Sequence, residues 1–393
     1  MSQVKFSAAR SELLEAIQTA ALASAKRSPR PALTGVEIKA SAGRVVITGT
    51  DSEIRTECQR QVSTSGDYDF GSIVVSPAIL AALVKTGPET IDCELTEDQL
   101  TVSGVGSVPA HAKADQFPAV LNSCESKQRA VISIDAELLR TALSAVVPAC
   151  DVDSTRYALG GILLDITRPA SGLTLVATDS RRLVTYEIPS ALVMLPNEQA
   201  QNPDTIIPAS HCKALIKALK AVRGSVVIDL FDNRWQVSMP EQRAEFRGLY
   251  VQGRFPRYQE VIPAVRYFPY SLDNSKALKI HLDAIKRILS KEHRGTEVQF
   301  MGAEFRMNYK APDGHTYSGS VPASGSETMP IDPTIIDPRF FLDVINSVPA
   351  GAKLEFSQEQ RTFQEIQNKA THSGFPLKIT CGPVTWVIMP LGK

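Results

Sequence analysis

The stretch that decides the fold is Val45-Val46-Ile47-Thr48-Gly49-Thr50-Asp51-Ser52, because it returns as Leu173-Thr174-Leu175-Val176-Ala177-Thr178-Asp179-Ser180. The Thr-Asp-Ser triplets begin at residues 50 and 178. Each is preceded by a matching strand and glycine turn: Gly35-Val36-Glu37-Ile38 with Gly43, then Gly161-Ile162-Leu163-Leu164 with Gly172. Each repeat closes on a Phe-Pro turn, Phe117-Pro118 and Phe255-Pro256. A third, weaker copy starts near His281 and runs to the C-terminus. Solenoid units recur at roughly 20–50 residues, so repeats of this length are whole domains. The expected division is 1–125, 130–265 and 270–393. An identical Thr-Asp-Ser triplet reads as a turn built by Asp side-chain hydrogen bonds rather than as a duplicated active site.

Bulk composition fits this plan. The chain has 393 residues, 43% hydrophobic and 21% charged, as ordinary globular domains do. No apolar run approaches the ~20 residues of a membrane span, and no signal-peptide core follows Met1. Six scattered cysteines without a C-x-x-C read as reduced thiols in a cytoplasmic protein. Lys+Arg and Asp+Glu are both 42, so net charge implies nothing about nucleic acid; its distribution must.

Periodicity predicts six helices. The first of each pair covers 8–25 (with Ser7 as N-cap), 135–147 and 283–293 (stopped by Gly295). The second covers 77–86, 208–222 and 338–348, each opening on a proline, whose missing N–H has no helical partner there. Strands follow each helix, so the fold class is α+β, not alternating βαβ. Residues 123–129 and 264–277 read as linkers.

Catalytic motifs are missing. There is no Walker loop, H-E-x-x-H or G-x-S-x-G, and Pro109 breaks the pattern begun by Gly104-Val105-Gly106. His211-Cys212 sits in a helical first turn, where adjacent side chains diverge. Asp67-x-Asp69 and Asp151-x-Asp153 lack further metal ligands nearby. The expectation is no enzyme, no cofactor and no metal.

Two helices look basic on one side. Lys213, Lys217 and Lys220 fall at i, i+4 and i+7, opposite Leu215, Leu219 and Val222. Lys286, Arg287, Lys291 and Arg294 oppose Leu282, Ile285, Ile288 and Leu289. Two such faces at related places suggest a phosphate-facing surface, which holds without reading sequence.

Five segments in order resemble the bacterial sliding clamps, the β subunit of DNA polymerase III. They are Arg156-Tyr157-Ala158-Leu159-Gly160-Gly161, Val176 through Leu183, Gly253 through Pro263, Ile288 through Gly295, and Val387-Ile388-Met389-Pro390-Leu391. The resemblance spans essentially the whole chain. It implies three clamp domains, each with two inner helices and antiparallel sheets outside, joined head to tail as a homodimeric ring. Double-stranded DNA would pass through the hole without sequence preference. The ring would be a non-catalytic processivity factor of cytoplasmic, nucleoid-associated replication, needing no cofactor and no membrane. Its partners would be the polymerase III catalytic subunit, a separate ATP-hydrolysing clamp loader, and other replication and repair proteins. The implied partner-peptide cleft is Leu159, Thr178, Ser180, Arg181, Arg182, Leu183, Pro256, Val261, Val387, Ile388, Met389, Pro390 and Leu391. Implied DNA-facing residues are Arg27, Arg156 and Tyr157, with Asp153 beside them, and the Lys213, Lys217, Lys220 face joins them. The dimer contact would join the edge strand around Val108 to the helix carrying Ile288 and Leu289. Asp153 at a DNA-facing position and Glu260 at the cleft rim, where the family has a basic residue, keep an alternative open: a clamp-like interaction scaffold that no longer loads on DNA.

Overall fold

The computed structural model describes residues 3–41, 43–66, 72–119, 127–151, 157–195, 205–263, 270–290, 294–325, 333–358 and 376–391. One plan occurs three times along these residues: a strand, a helix, three main strands and a short one, then a strand, a helix and three strands. The helices are α1 (Arg10–Ala20), α2 (Pro77–Thr86), α3 (Ala136–Val146), α4 (Ala209–Ala218), α5 (Ser275–Ile288) and α6 (Pro338–Ser347). The fold class is α+β. The third copy, faint as a sequence repeat, follows the same element order as the other two.

Five expectations need correction. Ser7 does not cap α1; it lies in the Val4–Ala9 strand and its hydroxyl donates to Asp92, while Ala9 stands at the N-cap without a side-chain bond. Helix α5 starts eight residues before 283, where Asn274 Oδ1 accepts from Lys276 N–H at 3.0 Å. The chain turns extended at Leu289, so Gly295 is not its stop. The segment read as a linker at 264–277 contains the Tyr270–Leu272 strand and the start of α5; residues 264–269 lie outside the described residues. Helix α4 ends at Ala218, and Leu219 to Val222 continue as turns.

The chain forms two compact units, Met1–Arg140 with Ser190–Tyr250, and Thr141–Pro189 with Val251–Lys393. In the first, the Ile54–Gln61 strand of copy one pairs antiparallel with the Ala244–Leu249 strand of copy two, Ile54 opposite Gly248. In the second, the Arg182–Ile188 strand of copy two pairs with the Val384–Ile388 strand of copy three, Arg182 opposite Ile388. Each time the third main strand of one copy meets the last strand of the next.

Burial sets the cores. Trp235 and Phe246 are fully buried in the first unit, and Gly248 lets the Trp235 ring approach, since a Cβ there would lie 2.4 Å from it. In the second unit Phe300 packs on Tyr270, Phe305 and Phe356 with centroids 4.4, 4.7 and 5.1 Å apart. Such offset and edge contacts are favoured by aromatic quadrupoles.

Candidate functional site

The duplicated triplet builds the same turn twice. In the second unit Asp179 Oδ1 accepts from Arg181 and Arg182 N–H, both at 2.9 Å, and Thr178 Oγ1 donates to Arg182 O at 2.7 Å. Ser180 takes a left-handed φ of 70°. In the first unit Asp51 Oδ1 accepts from Glu53 and Ile54 N–H at 2.9 Å, Thr50 Oγ1 donates to Ile54 O at 2.7 Å, and Ser52 has φ 86°. The expected Asp-built turn is what forms, in both copies.

Each turn then holds the chain leaving the neighbouring strand. Met389 N–H donates to Arg181 O at 2.8 Å, and Leu249 N–H donates to Glu53 O at 3.1 Å. The scaffold is shared; the side chains are not. In the second unit Leu183 and Val387 face each other across the ladder, 4% and 1% exposed. In the first unit the same positions carry Arg55 and Arg247, ion-paired to Glu57 and Glu245. One copy of the scaffold has an apolar floor and the other a charged one.

The cleft expectations divide on this geometry. Leu159, Thr178, Leu183, Val387 and Ile388 are buried. Met389, Pro390 and Leu391 are half-buried, and Leu391 N–H donates to Ile335 O at 2.7 Å. Ser180, Arg181, Pro256 and Val261 are exposed. The 256–263 stretch is tied to the sheet by three bonds: Tyr258 Oη donates to Asp165 at 2.6 Å, Gln259 Nε2 donates to Asp165 at 3.4 Å, and Lys378 Nζ donates to Pro263 O at 3.4 Å. Burial first, then the Asp165 carboxylate, push the Tyr258 phenol well above its usual range, so it stays a donor. Glu260 is exposed and pairs with Arg257 at 3.3 Å.

Arg182 differs from its neighbours. Its side chain is 10% exposed, paired with Asp179 and Asp343, donating to Pro148 O, and lying 4.4 Å over the Phe340 ring. These contacts tie the Arg182–Ile188 strand to α6. Proximity in sequence to the turn gave no sign of this.

On the basic faces, Lys213, Lys217 and Lys220 are all exposed, as are Lys286, Arg287 and Arg294; Lys291 lies outside the described residues. Lys276 and Lys279, also exposed, extend the α5 face by two turns. The Asn274 cap and the Leu278, Leu282, Ile285 spacing were the signals that could have located them. Arg27 is exposed in the loop after α1. Asp153 and Arg156 lie outside the described residues, and Tyr157 opens a short 3-10 turn. Val108 is 1% exposed and faces the core of its own sheet, while Ile288 and Leu289 are half-buried at the end of α5.

The His211-Cys212 pair does not form a dyad. Cys212 Sγ approaches Ile207 O at 3.8 Å, and His211 packs beside Trp235 with centroids 5.9 Å apart. Burial holds His211 down at about 4 despite nearby Asp51. Among the described residues no three His, Cys, Asp or Glu groups cluster as metal ligands; Asp67, Asp69 and Asp153 are outside them.

The sequence model of the DNA polymerase III beta subunit, N-terminal domain, matches residues 4–120, and that of its central domain matches 133–257. The beta sliding clamp of Bacillus subtilis is 27% identical over 270 residues, 66% of this chain and 68% of that protein. The beta sliding clamp of Pseudomonas putida is 24% identical over 312 residues, 78% and 81% of the two chains. The crystal structure of a sliding clamp from Bartonella birtlesii bound to griselimycin superposes with a TM-score of 0.83 at 21% identity, covering 100% of both chains. The crystal structure of a Caulobacter crescentus beta sliding clamp with PEG bound gives 0.79 at 18% identity over 100% of each chain.

Proposed function

This chain belongs to the DNA polymerase III beta subunit family, and we propose on that premise that it is a sliding clamp. Three domains, 1–125, 130–265 and 270–393, make one protomer, and two protomers close head to tail around duplex DNA. The observation that carries this reading is the bookkeeping of strand edges. A third main strand meets the next copy's last strand twice within the chain. That leaves one strand of each kind at a sheet edge: Thr316–Pro322 in copy three and Gly106–Pro109 in copy one. A second protomer supplies the missing partner for both. Val108 then contributes main chain rather than side chain to the junction, with Ile288 and Leu289 beside it.

Inside the ring Lys213, Lys217, Lys220, Arg27, Arg156 and the α5 cations attract phosphate without gripping a sequence. A topological tether requires no more than this. Outside, the partner-peptide cleft is the scaffold copy with the apolar floor, Leu183 and Val387, rimmed by Arg181, Pro256, Val261 and Met389. Methionine gives such a floor adaptable packing, which suits several related ligands. The polymerase catalytic subunit, the clamp loader and repair proteins would dock there in the bacterial cytoplasm. The protein itself catalyses nothing.

The test is primer extension on a circular template with loader, ATP and polymerase. The clamp should lengthen products at limiting polymerase, and Met389→Ala should remove most of that gain. Product length independent of the clamp would favour the scaffold reading instead.

A further inference from the structure

Asp165 is buried among neutral hydrogen-bond donors. It ends the Gly161–Asp165 strand at 9% exposure. Its Oδ1 accepts from Thr167 N–H at 2.8 Å and from Thr167 Oγ1 at 2.7 Å. Its Oδ2 accepts from Tyr258 Oη at 2.6 Å and from Gln259 Nε2 at 3.4 Å. Burying a carboxylate is costly unless its lone pairs are filled, so an acid at such a position requires a reason. The fold supplies none. Asp165 lies opposite Thr174 as Lys39 lies opposite Val46, in the strands that run on to Thr178 and Thr50. Gln299 holds the same place in copy three, counted from the matching pairs Val36–Val75 and Thr296–Ile336. Lys39 is exposed and Gln299 half-buried. The carboxylate therefore belongs to copy two alone, the copy whose Thr-Asp-Ser turn borders the apolar floor.

What Asp165 holds is the stretch that follows Phe255. Tyr258 and Gln259 lie in a 3-10 turn, Tyr258–Glu260. Main-chain bonds make the stretch one unit: Tyr258 N–H donates to Pro256 O at 2.7 Å, Glu260 N–H to Arg257 O at 3.2 Å, and Val261 N–H to Tyr258 O at 3.1 Å. Tyr258 is 8% exposed with its hydroxyl on Asp165, whereas Pro256 and Val261 are exposed. Fixing Tyr258 Oη thus fixes two exposed apolar residues. A hydrogen bond to a carboxylate is roughly twice as strong as a neutral one, so Tyr258 is the main tie. The Gln259 bond is long and adds little.

We propose that Asp165 is a positioning residue of the partner-peptide cleft: through Tyr258 it sets Pro256 and Val261 where an arriving peptide meets them, without touching the peptide itself. The proposal rests on the cleft reading given under Proposed function. A rim ordered in advance spares the ordering cost at binding. Asparagine cannot do the same, because its single oxygen serves Thr167 or Tyr258 but not both.

The probe is the polymerase III catalytic subunit, passed over the immobilised full chain well below the melting temperature of each variant, with affinity and dissociation rate read by surface plasmon resonance. Tyr258→Phe and Asp165→Asn should each weaken binding about three- to tenfold, mostly through faster dissociation. The double variant should be no weaker than the weaker single one, since both substitutions remove one interaction. Gly248→Ala, destabilised through Trp235 instead, should bind as wild type does. Affinity within about twofold of wild type in both single variants would overturn the proposal. An additive loss in the double variant, or an equal loss in Gly248→Ala, would also overturn it, by making the effect one of stability rather than of position. Binding that Met389→Ala leaves intact would instead remove the cleft reading, and this proposal with it.

Discussion

Arg182→Ala should destabilise the second unit heavily, although Arg182 sits beside the exposed turn. The substitution removes a guanidinium that meets Asp179, Asp343, Pro148 O and the Phe340 ring together. Breaking a buried pair by deleting one partner costs ~3–5 kcal/mol, because the other charge stays behind. Asp179 and Asp343 are 18% and 29% exposed, so water relieves part of the penalty. The lower end, about 3 kcal/mol, is expected, or a melting shift of roughly 6–12 °C. The chain has two tryptophans, Trp235 in the first unit and Trp386 in the second. A Trp235→Phe background therefore reports urea unfolding of the second unit through Trp386 alone. Adding Asp343→Leu to Arg182→Met should recover part of the loss, since an apolar replacement leaves fewer unpaired charges. A loss below about 1 kcal/mol, the value for an exposed ion pair, would refute the reasoning and return Arg182 to the surface.

Three further outcomes are expected. His211 is 2% exposed and held at about 4, against an unfolded value near 6.5, so the unfolded chain binds the extra proton between those values. Its contribution is intact above about pH 6.5 and is lost as pH falls toward 4, at most ~3 kcal/mol; urea midpoints followed by Trp235 should drop over that window and flatten in His211→Phe. Gly248→Ala drives a Cβ into the Trp235 ring and should cost about 1–3 kcal/mol by overpacking, seen in the same assay. Light scattering at micromolar concentration should give about twice 42.7 kDa; the single-chain mass would leave both edge strands unpaired.

What was legible in the sequence was local. The Thr-Asp-Ser turn could be read because its hydrogen bonds connect residues two to four apart. Helix α2 could be read to the residue because proline opens it and a glycine follows it. The α5 start was missed because the apolar spacing that begins at Leu278 follows a short strand, and only Asn274 marks the boundary. The third copy was faint because strand order, not side chains, is what it shares with the others. The contrast between Leu183–Val387 and Arg55–Arg247 needed the ladder register, which no periodicity contains. The Arg182 contacts to Asp343 and Phe340 join residues more than 150 positions apart, beyond any motif.

The most direct measurement is retention on DNA as a function of topology. Labelled protein is loaded by the clamp loader with ATP onto a nicked circle, separated from free protein, and the circle is then cut once. The account predicts stable retention on the intact circle and rapid loss on linearisation, because nothing but the ring holds it. Equal release before and after the cut, or equal retention after it, would contradict the claim that the protein encircles DNA.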